Sequence, residues 1–223
     1  MTRSKDSGET PSLFERANSS RKEELAPGAF YLHGFALPDE APLLAALREV
    51  TALAPFRNMV TPGGYQMSVA MTNCGSLGWI TDRSGYRYDA VDPESGKNWP
   101  AMPDAFRKLA AGAAAEAGFV DYCPDACLIN RYEPGAKLSL HQDKDERDFT
   151  QPIVSVSLGI PAIFLFGGSQ RADRTERVRV EHGDVIVWGG PARLRYHGVL
   201  SLKEAEHPSL GRQRVNLTLR KAG

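Results

Sequence analysis

Apolar residues recur along the first half of the chain at helical spacing in two places. Leu43, Leu44, Leu47, Val50 and Leu53 follow Pro38 and Asp39 at intervals of three and four, which predicts an amphipathic helix. Phe106, Leu109, Ala110, Ala113, Ala114 and Ala117 repeat the pattern behind Pro103 and Asp104, and Gly118 stops it. Beyond Gly118 the period changes. Short β-like runs succeed one another, ACLINRY, KLSLHQD, IVSVSLG, AIFLF, RVRVE, DVIVW, RYHGV and RVNLTLR, punctuated by Gly, Pro and Asp. Many short strands with turn signals predict a sandwich or barrel. FYLHGF at 30–35 and YQMSVAMT at 65–72 add strands, and GWITDRSGYRYD at 78–89 predicts a hairpin carrying aromatics. The expected architecture is a mainly β fold (α+β) with its helices on one side.

A chain of 223 residues argues for one domain. Residues 1–24 are rich in Ser, Arg, Lys and Glu and read as a mobile arm, whose Leu13 and Phe14 would dock on the core. Residues 25–223 form the single domain. Twenty-seven Lys/Arg balance twenty-seven Asp/Glu, which excludes a strongly basic, histone-like binder. The balance is uneven locally: 193–223 holds seven bases against two acids, and 143–148 four acids against two bases. Cys74, Cys123 and Cys127 make a poor disulfide framework and are expected as buried thiols in a reducing compartment. The first residues lack the apolar run of a signal peptide, and no stretch approaches the roughly 18 apolar residues of a membrane span. A soluble, cytoplasmic protein is expected.

His141-Gln142-Asp143 sets an imidazole and a carboxylate two residues apart, on one face of an extended chain. His197 ends another predicted strand. Two His and one Asp on neighbouring strands can form a facial triad that leaves open positions on Fe(II). Arg214, Asn216, Thr218 and Arg220 share one face of the last strand, with Val215, Leu217 and Leu219 on the other. As an edge strand, that polar face would lie in water. Turned into a barrel, its two guanidiniums would need partners, which a small dicarboxylate would supply. Asn130 and Tyr132, again two apart, are positioned to add hydrogen bonds. His182 in EHGD is expected to be structural, with a nitrogen bonded to backbone, and Trp188 to pack near the metal site.

These residues sit in motifs that resemble the AlkB family of Fe(II)- and 2-oxoglutarate-dependent dioxygenases. The motifs are TPGGYQMSVAMTNCG at 61–75, PDACLINRYEPGAKLSLHQDKDE at 124–146, IVSVSLG at 153–159, EHGDVIVWGG at 181–190, YHG at 196–198 and RVNLTLR at 214–220. The resemblance runs from about 27 to 220 and leaves the arm out. It implies a double-stranded β-helix (jelly-roll) core with a nucleotide-recognition region at about 61–90. It makes His141, Asp143 and His197 the iron ligands and catalytic residues. Asn130, Tyr132, Arg214, Asn216 and Arg220 become the 2-oxoglutarate pocket, with one arginine for each end of the cosubstrate. Trp79 is similar to the aromatic that stacks on a flipped damaged base, with His141 on the base's other face. Asp145 resembles the carboxylate beside that base's exocyclic amine, and Thr61, Tyr86 and Arg171 resemble contacts to the nucleic-acid backbone or base.

The implied activity is direct-reversal repair by oxidative demethylation of bases such as 1-methyladenine and 3-methylcytosine. Fe(II) is the cofactor, and 2-oxoglutarate and O2 are cosubstrates. Succinate, CO2 and formaldehyde are the products. Alkylated DNA, single- or double-stranded, is the expected partner of a monomer, and RNA stays open. A hydroxylase of a protein or small molecule would share the triad and the arginine pair. The resemblance of 61–89 and Asp145 to nucleotide-recognition parts separates the two. A non-catalytic β-barrel binding module is a third reading, and the intact triad with both arginines argues against it.

Overall fold

Thirteen strands and two α-helices make up the described part of the chain, residues 21–223, in a computed structural model. β1 (Lys22–Ala26) and β2 (Ala29–Leu32) precede α1 (Glu40–Leu53). β3 (Ala70–Gly75) and the hairpin strands β4 (Gly78–Asp82) and β5 (Gly85–Asp89) lead to α2 (Asp104–Glu116). Then come β6 (Ala126–Tyr132), β7 (Leu138–His141), β8 (Ile153–Gly159), β9 (Ala162–Phe166), β10 (Glu176–Val180), β11 (Val185–Trp188), β12 (His197–Val199) and β13 (Arg214–Arg220). One sheet has seven strands in the order β1-β2-β11-β8-β13-β6-β3, and a second has four, β10-β9-β12-β7. The pairing is antiparallel throughout both sheets, as the jelly roll requires. No helix among the described residues is long and apolar enough to cross a membrane.

The two-residue period of the strands sorts side chains into two compartments. Ile129, Val154, Val156, Val185, Val187, Leu217 and Leu219 face the helices, where Leu43, Leu47, Phe106 and Leu109 complete one core. Their neighbours in sequence face the smaller sheet. There Leu128, Tyr132, Ile186 and Trp188 meet Phe164, Phe166 and Val199. The polar set Asn130, Ser155, Ser157, Arg214, Asn216 and Thr218 alternates onto this second face and is buried there. β13 is therefore no edge strand. It lies between β8 and β6, paired along its whole length, so its polar face points into the space between the sheets.

Some boundaries differ from the sequence pattern. Residues 22–24, assigned to the arm, belong to β1, a mostly exposed edge strand whose KEELA sequence reads as loop. Leu13 and Phe14 lie outside the described residues. β3 starts at Ala70 rather than Tyr65, because Thr61 and Tyr65 close a turn through Gly63 and Gly64. β2 stops at Leu32, where Gly34 turns with φ +62° and donates its N–H to Asp184. Cys74 and Cys127 are buried and paired across β3 and β6, but Cys123 is exposed, contrary to the expectation for it.

Candidate active site

His141 closes β7 and His197 opens β12, and the two are direct cross-strand partners. Opposed Cβ atoms in an antiparallel pair lie about 5 Å apart, and here the rings sit 4.4 Å centre to centre. Asp143 follows two residues past His141. Its Oδ1 lies 3.6 Å from His141 Nε2 and its Oδ2 3.7 Å from His197 Nε2. The ligand atoms of all three lie within 4.8 Å of one another.

Both imidazoles are held in the tautomer a metal needs. His141 Nδ1 is 2.9 Å from the Ser139 carbonyl and His197 Nδ1 3.1 Å from that of Arg195. A carbonyl only accepts, so each Nδ1 carries a proton and each Nε2 is the nitrogen presented on the Asp143 side, where a metal would be ligated. Burial, with His141 adjacent, pushes the His197 pKa down to about 4, which keeps the ring neutral. Burial disfavours the Asp143 carboxylate, but the Arg220 guanidinium outweighs it and holds the carboxyl well below its usual range. Two imidazoles and one carboxylate, close-set and partly open, suit Fe(II).

Above the triad a cavity of about 540 Å³ opens between the sheets, and every predicted site residue lines it. Arg214 lies fully buried on its floor, stacked over Tyr132 at 5.1 Å. Its Nη2 donates to Ser157 Oγ at 3.0 Å, while Nε and Nη1 are buried without a partner. The Asn130 side-chain oxygen is likewise unpartnered. Asn216 donates to Ser155 Oγ and to the Val156 carbonyl, and Thr218 donates to Asn216. A buried guanidinium with open donors calls for an anion, and a carboxylate of 2-oxoglutarate fits it. Arg220 behaves differently. It donates to Asp143 Oδ2 from Nε at 2.9 Å and from Nη2 at 2.5 Å, and lies 3.4 Å from Glu146. It thus sets the metal carboxylate as well as bordering the pocket.

At the mouth, the Trp79 indole N–H donates to Asp145 Oδ2 at 2.8 Å. Tyr86, across the hairpin, stacks on Trp79 with ring centres 5.7 Å apart. Thr61 borders the same opening. Arg171 reaches across the rim to donate to the Leu140 carbonyl, beside His141. The hairpin is anchored beneath Trp79 by Asn73, whose amide pairs with both backbone groups of that residue at 3.0 Å.

The run at 143–148 also hides residues that the sequence pattern does not single out. Glu146 is buried, 3.1 Å from Arg193, and accepts the Tyr88 hydroxyl proton at 2.7 Å. Arg193 in turn donates to the backbone carbonyl of Asp143. The local excess of acids was the only signal, and nothing in it tells an inward acid from an outward one. Trp188 packs edge-on against His197 at 5.0 Å, and His182 accepts the Gly159 N–H, both as expected.

Known proteins match this arrangement. Residues 28–220 fit the model of the 2OG-Fe(II) oxygenase superfamily. The chain is 58% identical over 202 residues to the alpha-ketoglutarate-dependent dioxygenase AlkB of Escherichia coli, covering 91% of this chain and 94% of that one. It is 46% identical to an AlkB homolog of Caulobacter vibrioides, over 76% of each. The solved structure of OsALKBH1 superposes with a TM-score of 0.78 at 29% identity, over 90% of this chain and 100% of that one. With the triad, the buried arginine and these relatives in agreement, the chain belongs to the 2OG-Fe(II) oxygenase superfamily and, within it, to the AlkB dioxygenases.

Proposed function

We propose that this protein removes methyl groups from ring nitrogens of alkylated bases, such as 1-methyladenine and 3-methylcytosine, in DNA, with RNA left open. One observation carries the reading. A close-set His-Asp-His triad and an aromatic–carboxylate pair line the same cavity, one at its floor and one at its mouth.

His141, Asp143 and His197 would hold Fe(II), and Arg214 with Asn130 and Tyr132 would hold 2-oxoglutarate beside it. When bound, Fe(II) with 2-oxoglutarate and O2 supplies the oxidising power to hydroxylate a strong methyl C–H bond. The chain's own side chains do the rest. The target base leaves its stack, at a cost of a few kcal/mol that is least for a lesion unable to pair. Trp79 offers a stacking face worth roughly 1–3 kcal/mol, and His141, which lines the same cavity, would take the base's other face. Methylation at N1 of adenine or N3 of cytosine leaves a positive charge on the ring. The Asp145 carboxylate, oriented by the Trp79 N–H, favours that cation over a neutral base. Once the methyl bears a hydroxyl, that O–H loses its proton to solvent as the C=O forms, the C–N bond breaks, formaldehyde leaves, and the C–N electron pair returns to the ring nitrogen.

The reading includes a monomer in a reducing compartment such as the cytoplasm, which the three free thiols suit. The deciding experiment is mass spectrometry of a single-stranded oligonucleotide bearing one 1-methyladenine, incubated with protein, Fe(II), 2-oxoglutarate, ascorbate and air. The expected result is loss of the methyl mass only in the complete wild-type reaction, with His141→Ala inert. Succinate without demethylation would move the assignment to a protein or small-molecule hydroxylase. The absence of both would leave a binding module.

A further inference from the structure

Behind the base slot lies a second cavity, of about 350 Å³, which shares two wall residues with the first, Tyr86 and Asp145. Arg87 and Arg147 line it as well. Arg87 is anchored through Nη2 to Asp82 at 2.9 Å, while its Nη1 is buried with no partner. Asp82 thereby fixes the guanidinium at the cavity wall. Arg147 is pinned by its backbone N–H, which donates to the Ala222 carbonyl at 3.1 Å. Among the described residues its guanidinium makes no hydrogen bond or ion pair. Two more of the cavity's polar groups are engaged: Asp145 Oδ2 by the Trp79 indole, and the Tyr88 hydroxyl by Glu146. Arg87, paired with Asp82, and the unpaired Arg147 thus border one concave wall, with the Asp145 carboxylate at its edge.

Guanidinium forks match phosphate oxygens, and such contacts set register on a strand without reading sequence. Tyr86 is the common wall. A strand whose base is stacked on Trp79 would carry its neighbouring phosphate past Tyr86 into this second cavity. We infer that Arg87 and Arg147 form a phosphate subsite for the nucleotide flanking the flipped base. The inference rests on the nucleic-acid reading above and assigns the flanking strand a place on the protein. It gives the enzyme a reason to prefer a strand over a free nucleotide.

The test compares wild type with Arg147→Gln, Arg87→Gln and the double variant. Arg147→Gln removes a side chain without partners, so its folding is not in question. Binding of a 1-methyladenine oligonucleotide is measured by anisotropy between about 50 and 200 mM salt, without iron. Each phosphate contact on a single strand contributes about 0.7 to the slope of log affinity against log salt. The double variant is expected to lose about 1.4 of that slope. Its kcat/KM for the oligonucleotide, relative to 1-methyladenosine monophosphate, is expected to fall about tenfold through KM. An unchanged slope and ratio would overturn the subsite. Inorganic phosphate that competed equally against oligonucleotide and mononucleotide would overturn the strand assignment in favour of a free anion. A slope that depends on Arg147 in a protein that leaves the methyl in place would uphold the subsite and defeat the demethylation instead.

Discussion

Arg214 is buried over Tyr132 with two unpartnered guanidinium nitrogens. Such a group costs stability and serves binding. In Arg214→Met, KM for 2-oxoglutarate, read from succinate formation, should rise about 10–150-fold. That is the equivalent of the roughly 1.5–3 kcal/mol in hydrogen bonds to a charged group. The same variant without cosubstrate should melt no lower than wild type, because it removes a buried charge that lacks a counterion. Asp145 acts on the substrate's charge. Asp145→Asn should reduce kcat/KM for cationic 1-methyladenine more than for a neutral alkylated base; equal losses would remove the charge argument. His182 governs a different property. Burial, and then the His207 ring stacked 4.2 Å away, lower its pKa below the ordinary 6.5, although Glu40 and Asp184 pull the other way. The unfolded chain therefore takes up the proton first, so stability is full above about pH 6.5 and falls as pH drops below it. His182→Gln keeps an acceptor for Gly159 but cannot titrate. Its Tm should fall less than wild type's between about pH 7 and 5, and parallel curves would refute this.

At the scale of elements, the triad depends on how closely β12 lies on β7. A Cβ at Gly198 would sit 2.7 Å from the Leu138 carbonyl oxygen and 3.2 Å from the Leu140 nitrogen, both backbone atoms that cannot step aside. Gly198→Ala should push β12 off β7 and part His197 from His141. The expected outcome is about 10–100-fold weaker metal binding, the range typical when ligand support is lost. Calorimetric titration checks it. β13 shows the same dependence on placement. Its alternation was legible in the sequence, but that pattern fits an edge strand as well as a central one. Pairing with β8 and β6 is what turns Arg214 and Asn216 inward.

Across the whole molecule, ligands that bind only the folded state should stabilise it by mass action. Fe(II) at about one hundred times its Kd, added without oxygen, should contribute about 2.7 kcal/mol and raise Tm by about 5–11 °C. 2-Oxoglutarate should add a further shift. Asp143→Ala should abolish the metal's contribution, and a retained shift would place the metal elsewhere. The two sheets make this coupling possible, since the ligands come from β7, β12 and the turn after β7, and the anion receptor from β6 and β13.

The sequence by itself determined the element types, the helical faces, the His-x-Asp spacing and the inward–outward alternation of β13. All of these are set by neighbours within a few residues, where backbone period decides direction. It also carried enough motif to reveal the family. Only the tertiary structure decided the rest. It brought His197 opposite His141 across 56 positions, and it left Arg214 open while committing Arg220 to Asp143. It buried Glu146 inside an apparently solvated acidic run, and it joined Trp79 to Asp145 at the mouth. Each of these depends on which strand lies beside which. That is a property of sheet closure, and residues distant in the chain encode it jointly rather than one at a time.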